Sequence, residues 1–324
     1  MRVFQNANYP FMQWRRRAYI ITALLFLGGL GAMVSNVARF GSWMNYGVDF
    51  TGGTLVQLQF TRPVQVDQIR DAARAAGHNE WEITQFGSPS EYVVRMPTFR
   101  ETPTSTSQGM VMQALTPAFG NAVKVTRTEA VGPKVGAELQ RNALIAIILS
   151  LLATMAYLAV RFEWRFGLAA IGATAHDILI TLGIIALFRI EVDLGIVAAL
   201  LTIVGYSLND TIVVFDRIRE NLTKPRHGQS FEQILNRSIN ETLPRTVLTG
   251  GSTMGTLLAL ILLGGPVIRT FALVLILGIV IGTFSSIFVA SPLLNAITKK
   301  WPHSAARKEQ AVRSTSRSRD AVRV

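Results

Sequence analysis

Six long apolar runs constrain this chain more than any other feature of its sequence. They cover residues 18–38, 142–160, 166–188, 192–214, 246–264 and 267–290. Each run has about 20 residues, enough for a helix to cross a hydrocarbon core about 30 Å thick. Only 16% of the residues are charged, whereas soluble proteins carry about 25%. The pattern therefore predicts a membrane all-α bundle of six transmembrane helices.

The spacing of these runs predicts the domain organisation. The first run is longer than the apolar core of a signal peptide, which has about 7–15 residues, so we interpret it as an uncleaved anchor. The last segment is rich in Ser and Arg and is expected to be disordered. The predicted segments are an N-terminus (1–17), a first transmembrane helix (18–38), a folded domain (39–141), a five-helix transmembrane region (142–298) with a loop at 215–245, and a basic tail (299–324).

The net charge of +12 does not predict nucleic-acid binding, because the basic residues adjoin the apolar runs and set their orientation. One side would hold Arg15, Arg16, Arg17, Arg161, Arg165, Arg217, Arg219, Lys224, Arg226, Arg237, Arg245, Lys299 and Lys300. The other side would hold only Arg39, Arg141, Arg189 and Arg269 near span ends. Cytoplasmic loops are enriched in basic residues. Both termini are therefore predicted to be cytoplasmic, and the 39–141 domain periplasmic in a Gram-negative host.

The 39–141 domain has its own pattern. Val56, Leu58 and Phe60 alternate with polar residues, which is typical of a strand with one buried face. The further elements are a helix at 66–76, strands at 82–86 and 91–96, a polar loop at 102–107, a helix at 108–119 and a strand at 122–130. The order β-α-β-β-α-β predicts a ferredoxin-like α+β domain with one open sheet face. This fold identifies no function by itself.

Asp210 is the most informative ionisable residue within the spans. A charge at the bilayer centre costs at least about 2.5–3.5 kcal/mol, so such residues are rare and often functional. Asp210 lies toward one end of the fourth span, where Ser207, Asn209 and Thr211 offer polar partners. A carboxyl that gains and loses a proton there would be a proton carrier. Alternatively, Asp210 only bonds a neighbouring helix.

Arg245 begins the fifth span, 35 positions after Asp210. The fourth and fifth spans run antiparallel, so both residues are expected near the same membrane face. Arginine stays charged at any relevant pH, and its approach would favour the ionised form of Asp210. The alternative interpretation is an ordinary interface arginine that only obeys the positive-inside rule.

His176 and Asp177 lie near the middle of the third span. They would form either a second proton relay or an interhelical hydrogen bond. A metal site is not predicted, because no further ligand cluster accompanies them, and the chain has no cysteine. Gly47–Gly53 lacks the lysine and the following helix of a phosphate loop, so no nucleotide cofactor is predicted.

Small residues follow the last two spans: Gly250, Gly251, Ser252, Gly255, Gly278, Gly282, Ser285 and Ser286. Small residues at this spacing allow helices to approach closely. The sequence therefore predicts tight helix packing along the fifth and sixth spans.

Several short segments together resemble the SecD/SecF family of the resistance-nodulation-division superfamily. They are Gly47–Gly53 (GVDFTGG), Val131–Gly136 (VGPKVG), Ala175–Asp177 (AHD), Ser207–Glu220 (SLNDTIVVFDRIRE), Pro244–Thr249 (PRTVLT), Gly264–Val267 (GGPV) and Gly282–Pro292 (GTFSSIFVASP). The resemblance covers nearly the whole chain in order. Each piece is weak alone, but the combination is specific.

The resemblance implies a SecF-like subunit that forms a heterodimer with a SecD-like partner in the bacterial inner membrane. Its further partners would be a SecYEG-type channel with associated inner-membrane proteins, the emerging preprotein and membrane lipid. The pair would assist protein export with the proton motive force, a transport function rather than an enzymatic one, without a cofactor. The resemblance also implies that Asp210 and Arg245 match the proton-pathway residues of the family.

Our hypothesis is a proton-coupled motor in which protonation of Asp210 weakens its pairing with Arg245 and shifts the helices. Sodium is not excluded as the coupling ion. Two other functions fit the sequence less well. A small-solute exporter would need a solute pocket, for which one small outer domain offers little room. An intramembrane aspartyl protease would need Asp177 and Asp210 as a close dyad, and their predicted depths match poorly.

Overall fold

The structure of the protein is a computed structural model that describes residues 4, 7–96, 104–223 and 229–301. In chain order the elements are α1 (Phe11–Phe40), β1 (Asn45–Tyr46), α2 (Val48–Thr51), β2 (Gly53–Phe60), α3 (Val66–Ala75), β3 (Glu82–Gln85), β4 (Glu91–Met96), α4 (Thr104–Phe119), β5 (Val123–Val131), α5 (Pro133–Arg161), α6 (Trp164–Leu187), β6 (Glu191–Val192), α7 (Leu194–Thr223), α8 (Phe231–Leu263), α9 (Pro266–Ser285) and, after a π-helical segment (Ser286–Ala290), α10 (Ser291–Lys300). Within these described ranges, six helical stretches are long and apolar enough to cross a membrane. The predicted six-span bundle is confirmed.

The membrane region is built around α6, α7 and α9, which are about half buried, while α1, α5 and α8 expose most of their apolar side chains. Its interior contains two apolar clusters. The first includes Phe166, Phe215 and Leu294, and the second, nearer the α+β domain, includes Ile203 and Leu275. Polar side chains of α6, α7 and the π-helical segment lie between the two clusters.

The helices extend well beyond the apolar runs. Because α7 continues to Thr223 and α8 begins at Phe231, the predicted loop over 215–245 is wrong in its extent. Ser230 and Gln233 form a capping box at the start of α8, a motif that supplies partners for the free N–H groups of the first turn. Polar contacts between α7 and α8 support these extensions, including the bond from Arg217 Nε to Glu241 at 2.7 Å.

The boundary predicted for the last segment is also wrong. Lys299 and Lys300 belong to α10 rather than to the tail. The remainder of the predicted disordered tail, 302–324, lies outside the described residues.

The α+β domain has one four-stranded antiparallel sheet in the order β3-β4-β2-β5. This is the predicted ferredoxin-like arrangement, with α3 and α4 on one face. Val56, Ile69 and Leu115 are fully buried in the core between that face and the helices. The loop predicted at 102–107 is wrong for its second half, because α4 already begins at Thr104. Hydroxyl side chains favour helix starts, so the polar Thr-Ser run belongs to the first turn.

The other face of the sheet lies toward the connection between α6 and α7. Arg95 of β4 forms an ion pair with Glu191 of β6, and β6 pairs in parallel with β1. Asp49 of α2 accepts a hydrogen bond from the backbone N–H of Leu194 at 2.9 Å. These contacts form what we call the joint: β1, α2, Arg95 and residues 188–195. The joint covers part of the sheet face that the sequence left open.

The chain enters and leaves the α+β domain at one point beside the joint. Gly52 has a φ of +74°, and a Cβ there would lie 2.7 Å from the Cα of Pro133. A Cβ on Gly136 would lie 2.9 Å from the carbonyl oxygen of Phe50. The backbones of the two segments are therefore in direct contact, which any larger residue at either glycine would disrupt.

Candidate functional site

One set of buried polar side chains lies between the two apolar clusters of the membrane region. Its described members, each less than 9% exposed, are Thr174, Asp177, Thr181, Ser207, Asp210, Thr211, Thr246, Ser285 and Ser286. They come from α6, α7, α8, the last residue of α9 and the π-helical segment. Buried polar groups are costly unless they are hydrogen-bonded, so the bonding of each carboxyl group defines what the layer can do. We call this set the polar layer.

Asp210 is 8% exposed and is held by hydroxyl groups from two other helices. Thr246 of α8 donates a hydrogen bond to Oδ1 at 2.8 Å. Ser286 of the π-helical segment donates to Oδ2 at 3.0 Å. The predicted interhelical role of Asp210 is therefore present, through partners that differ from the predicted ones. Hydroxyl groups both donate and accept hydrogen bonds, so these partners suit a carboxyl group in either protonation state.

Ser286 also lies within hydrogen-bond distance of a backbone carbonyl. Its Oγ is 3.0 Å from the carbonyl oxygen of Thr283 as well as from Asp210. A hydroxyl group has only one hydrogen to donate, so it serves one of these acceptors at a time. Ser286 also starts the π-helical segment, and such irregular turns occur often at functional sites.

Arg245 does not contact Asp210 in this conformation. Its side chain is exposed, and within the part of the chain that the structure describes it forms no ion pair. The adjacent Thr246, rather than Arg245, reaches Asp210. Helix geometry explains the difference, because successive residues point about 100° apart around the axis.

Asp177 is completely buried and binds two neighbours. His176 Nδ1 lies 2.8 Å from Oδ1, and Ser207 of α7 donates a hydrogen bond to Oδ2 at 2.5 Å. Of the two interpretations of this pair, the interhelical hydrogen bond is present in the structure. Among the described residues, the other ring nitrogen of His176 is buried without a hydrogen-bond partner.

The other predicted supporting residues divide into two groups. Ser207 belongs to the site, although it bonds Asp177 rather than Asp210. Thr211 is fully buried, and its hydroxyl group finds no partner within the described chain. Asn209 is exposed, so its amide does not support Asp210.

The two carboxyl groups do not form a dyad. Each has hydroxyl partners, and no hydrogen bond joins Asp177 to Asp210 in the described structure. Ser207 lies one helical turn before Asp210, an axial offset of about 4.5 Å. The described residues also contain no group of three or more potential metal ligands.

Sequence reasoning missed Thr246 and Ser286 as partners of Asp210. Both belong to segments already noted in the sequence, but as part of a motif and of a small-residue run. The sequence feature that could have identified them is a hydroxyl side chain directly after a residue already singled out. Thr246 follows Arg245, and Ser286 follows Ser285. Close packing of the sixth span is confirmed, because a Cβ on Gly282 would lie 2.9 Å from the Cβ of Ser207. The prediction of close packing is wrong for Gly251 and Gly255, where an added Cβ would meet no other described residue within 4 Å.

Two family models match the chain. The model described as "Protein export membrane protein SecD/SecF, C-terminal" matches residues 111–300, which include every carboxyl and hydroxyl group bonded in the polar layer. The model "SecD/SecF GG Motif" matches residues 40–64, around the point where the chain enters the α+β domain. The chain belongs to the SecD/SecF family.

Curated SecD/SecF proteins resemble the chain over nearly its full length. The protein translocase subunit SecF of Gemmatimonas aurantiaca is 47% identical over 99% of this chain and 99% of its own. SecF of Escherichia coli O157:H7 is 42% identical, over 93% of this chain and 91% of its own. The protein translocase subunit SecDF of Thermus thermophilus is 42% identical over 86% of this chain but only 37% of its own length.

Solved SecD/SecF structures share the fold. The crystal structure of SecDF, a translocon-associated membrane protein from Thermus thermophilus, matches with a TM-score of 0.80 and 40% identity. The match covers 92% of this chain and 40% of that one. SecDF in the super-membrane-facing form matches with a TM-score of 0.64. The chain is thus similar to a SecF protein and to about two fifths of a SecDF protein, and its relatives are protein translocase subunits.

Proposed function

We propose that this chain is a SecF-like subunit that uses the proton motive force to assist preprotein translocation across the bacterial inner membrane. The observation that carries the proposal is Asp210, a carboxyl group in the membrane core whose partners are hydroxyl groups of two other helices. Because these partners are uncharged, gain or loss of a proton leaves no buried countercharge unpaired. The names of the relatives support the export function.

A SecD-like partner follows from the length comparison. The SecDF relative from Thermus thermophilus matches this chain over only 37% of its own length, and its name joins SecD to SecF. We propose that a separate SecD-like subunit supplies the remainder as a heterodimer, and that the pair acts with a SecYEG-type channel on the emerging preprotein. Basic residues are more numerous at the span ends of one side of the membrane than of the other. This excess supports an arrangement with both termini in the cytoplasm and the α+β domain in the periplasm.

Arg245 enters this mechanism through a second conformation. In the described one its guanidinium is exposed, and Thr246 occupies the bonding position at Asp210. A rotation of α8 about its axis would exchange the two neighbours and favour the ionised carboxylate. One elementary charge that crosses 100 mV supplies about 2.3 kcal/mol, enough to shift such an equilibrium by more than tenfold.

The decisive experiment measures export in vesicles that contain the Asp210→Asn variant of the chain, its SecD-like partner and the channel. We expect the stimulation of export by a proton gradient to disappear, while export without a gradient stays unchanged. Asp216→Asn is the matched control, because Asp216 lies on the same helix but is exposed and pairs with Arg219 at 3.8 Å. Equal stimulation in wild type and Asp210→Asn would refute a proton-carrying role.

Parallel vesicles distinguish the coupling ion. One set carries only a sodium gradient and the other only a proton gradient. We expect stimulation in the second set alone, and stimulation by sodium alone would overturn the proton assignment without affecting the export function.

A further inference from the structure

A cavity of about 820 Å³ lies between the α+β domain and the adjoining end of the membrane region. One wall belongs to the sheet, one to the connection after α6 and one to α9. Residues that represent these walls are Thr84, Arg95, Phe188, Arg189, Arg269 and Leu273. The cavity lies outside the polar layer and has no part in the proposed proton pathway.

The α9 wall extends from the end of the helix into the apolar region. Arg269, Leu273 and Leu277 all line the cavity, and their spacing of four places them on one helix face. From Arg269 to Leu277 this face measures about 12 Å. At the rim, Phe188 is 71% exposed and Leu273 is 42% exposed. The cavity therefore has a polar part beside the domain and an apolar part that opens sideways at the level of lipid.

The carboxylates that line the cavity already have partners within the protein. Glu82 and Glu191 both pair with Arg95. Asp193 accepts a hydrogen bond from the backbone N–H of Ile196 at 2.8 Å. All three carboxylates are therefore engaged by groups of the protein, although Arg95 is the one cation that pairs with them in the described structure.

Two arginines that line the cavity lack such partners. Neither Arg189 nor Arg269 forms an ion pair with any residue that the structure describes. One terminal nitrogen of Arg189 is buried there without a hydrogen-bond partner. The guanidinium of Arg189 lies 4.2 Å from the ring centre of Phe40, a contact that leaves its donors unused. Among the described lining residues, Arg189 and Arg269 are therefore the cations that no carboxylate pairs with.

The backbone holds Arg189 in an unfavourable conformation at this place. Its φ is +53°, in the left-handed region that a helix end usually assigns to glycine. A residue with a Cβ costs roughly 1–2 kcal/mol in that region. Its carbonyl oxygen accepts a hydrogen bond from Asn45 at 3.1 Å, which fixes the position of the residue. The chain thus tolerates strain at a position where the side chain lines the cavity.

We propose that this cavity binds one anionic phospholipid. The phosphate would accept hydrogen bonds from Arg189 and Arg269, and an acyl chain would lie along Leu273 and Leu277. Arginine pairs well with phosphate because its planar group donates two parallel hydrogen bonds. An extended polypeptide suits the site less, because the apolar wall belongs to membrane helices and opens toward lipid. The bound lipid would fill the space beside the joint.

Native mass spectrometry of the delipidated full-length chain tests the proposal, with phosphatidylglycerol as the added lipid. We expect one tightly held phosphatidylglycerol per chain, and no comparable retention of phosphatidylcholine. Arg269→Gln and Arg189→Gly should each reduce retention about tenfold, the loss of one charged hydrogen bond. Arg189→Gly should also keep or raise the melting temperature, because glycine relieves the strain. This outcome separates loss of lipid from loss of fold.

Two control variants sharpen the result. Arg39→Gln removes an exposed arginine at the same end of the membrane region but outside the cavity, and retention should not change. Leu273→Trp should block the apolar part without a change of charge, whereas Leu262→Trp, on the exposed outer face of α8, should not. Equal retention in all variants would overturn the proposal.

Two competitors complete the test. Glycerol 3-phosphate should compete at least about a hundredfold more weakly than the intact lipid, since it lacks the buried acyl chain. If it competes equally, the site is an anion site and the lipid proposal is wrong. Displacement of phosphatidylglycerol by an unfolded peptide of neutral charge would likewise refute it, in favour of a polypeptide site.

Discussion

The protein encloses carboxyl groups in two regions, fully buried or nearly so in the polar layer and partly buried at the joint, and satisfies them differently. In the polar layer, Asp210 is bonded by the hydroxyl groups of Thr246 and Ser286, and no cation among the described residues contacts it. At the joint, Glu191 pairs with the guanidinium of Arg95. A buried ion pair is costly to break, because the remaining partner keeps an uncompensated charge. A carboxyl group among hydroxyl groups changes its charge without such a cost to a partner.

This difference separates a region that holds the molecule together from one that is suited to proton exchange. The joint connects the α+β domain to the membrane region through an ion pair, the β1–β6 pairing and a helix cap. In the polar layer, the described side chains that bond Asp210 from neighbouring helical segments are both hydroxyl groups. Variants at the joint should therefore lose more stability than variants in the polar layer.

Arg95→Leu should have the largest effect, a loss of about 3 kcal/mol, because it leaves Glu191 of the joint and the more exposed Glu82 of β3 without a cation. Thermal unfolding, followed by tryptophan fluorescence in a variant that keeps Trp81 of the domain core as its one tryptophan, measures it. The double variant Arg95→Leu, Glu191→Gln should recover part of the loss. If the single variant costs less than any hydroxyl deletion in the polar layer, the contrast between the two regions is wrong.

Asp177→Ala should cost about 2 kcal/mol, since it leaves the hydroxyl group of Ser207 and the ring of His176 buried without this acceptor. Asp177→Asn keeps an acceptor for Ser207 and should cost less than about 1 kcal/mol. The same unfolding measurement compares them. A structural role is supported if gradient-stimulated export survives in Asp177→Asn, whereas its loss would place Asp177 on the proton pathway beside Asp210.

Thr246→Val should cost about 1 kcal/mol, the typical value of one hydrogen bond, and should lower gradient-stimulated export. Thr256→Val is its control on the same helix, because the hydroxyl group of Thr256 is exposed and bonds only a backbone carbonyl. Unchanged export in Thr246→Val would show that Asp210 does not need this partner.

The smallest effect concerns the pH dependence of the joint. Burial raises the pKa of Glu191 above its usual value of 4.5, against the lowering effect of Arg95. A raised pKa means that folding favours the protonated carboxyl group. The contribution of Glu191 to stability is therefore complete below about pH 4.5 and is lost as the pH rises through the folded-state pKa.

Glu191→Gln removes this titration, so its melting temperature should vary less with pH than that of the wild type. Asp67→Asn is a suitable control, since Asp67 is largely exposed beside Arg70 in the domain. Identical pH profiles for wild type and Glu191→Gln would contradict the assignment.

Much of the fold followed from the sequence, because burial in lipid and in a sheet imposes simple periodic patterns. The alternation of Val56, Leu58 and Phe60 located β2, and the helix predicted at 66–76 agrees closely with α3, which ends at Ala75. The limits of α7 and α8 were missed, because these helices continue as polar helices that pack on each other. Hydropathy reports the solvent around a helix rather than its length.

The candidate site was predicted less completely. Asp210 and Asp177 were identified because a carboxyl group is conspicuous in an apolar run. Their partners Thr246 and Ser286 were not, because serine and threonine are common in membrane helices and their role depends on rotation about the helix axis. Whether Arg245 contacts Asp210 depends on the rotation of α8 about its axis. The number of residues between Asp210 and Arg245 in the sequence does not determine that rotation.

The contact between Gly52 and Pro133 has a consequence for engineering. Both strands that border the insertion, β2 and β5, are neighbours in the sheet, so the ferredoxin-like unit starts and finishes at adjoining positions. A homologous unit transplanted between these two positions would keep the spacing of the membrane helices that flank it. Chimaeras cut there would isolate what the unit itself contributes to export.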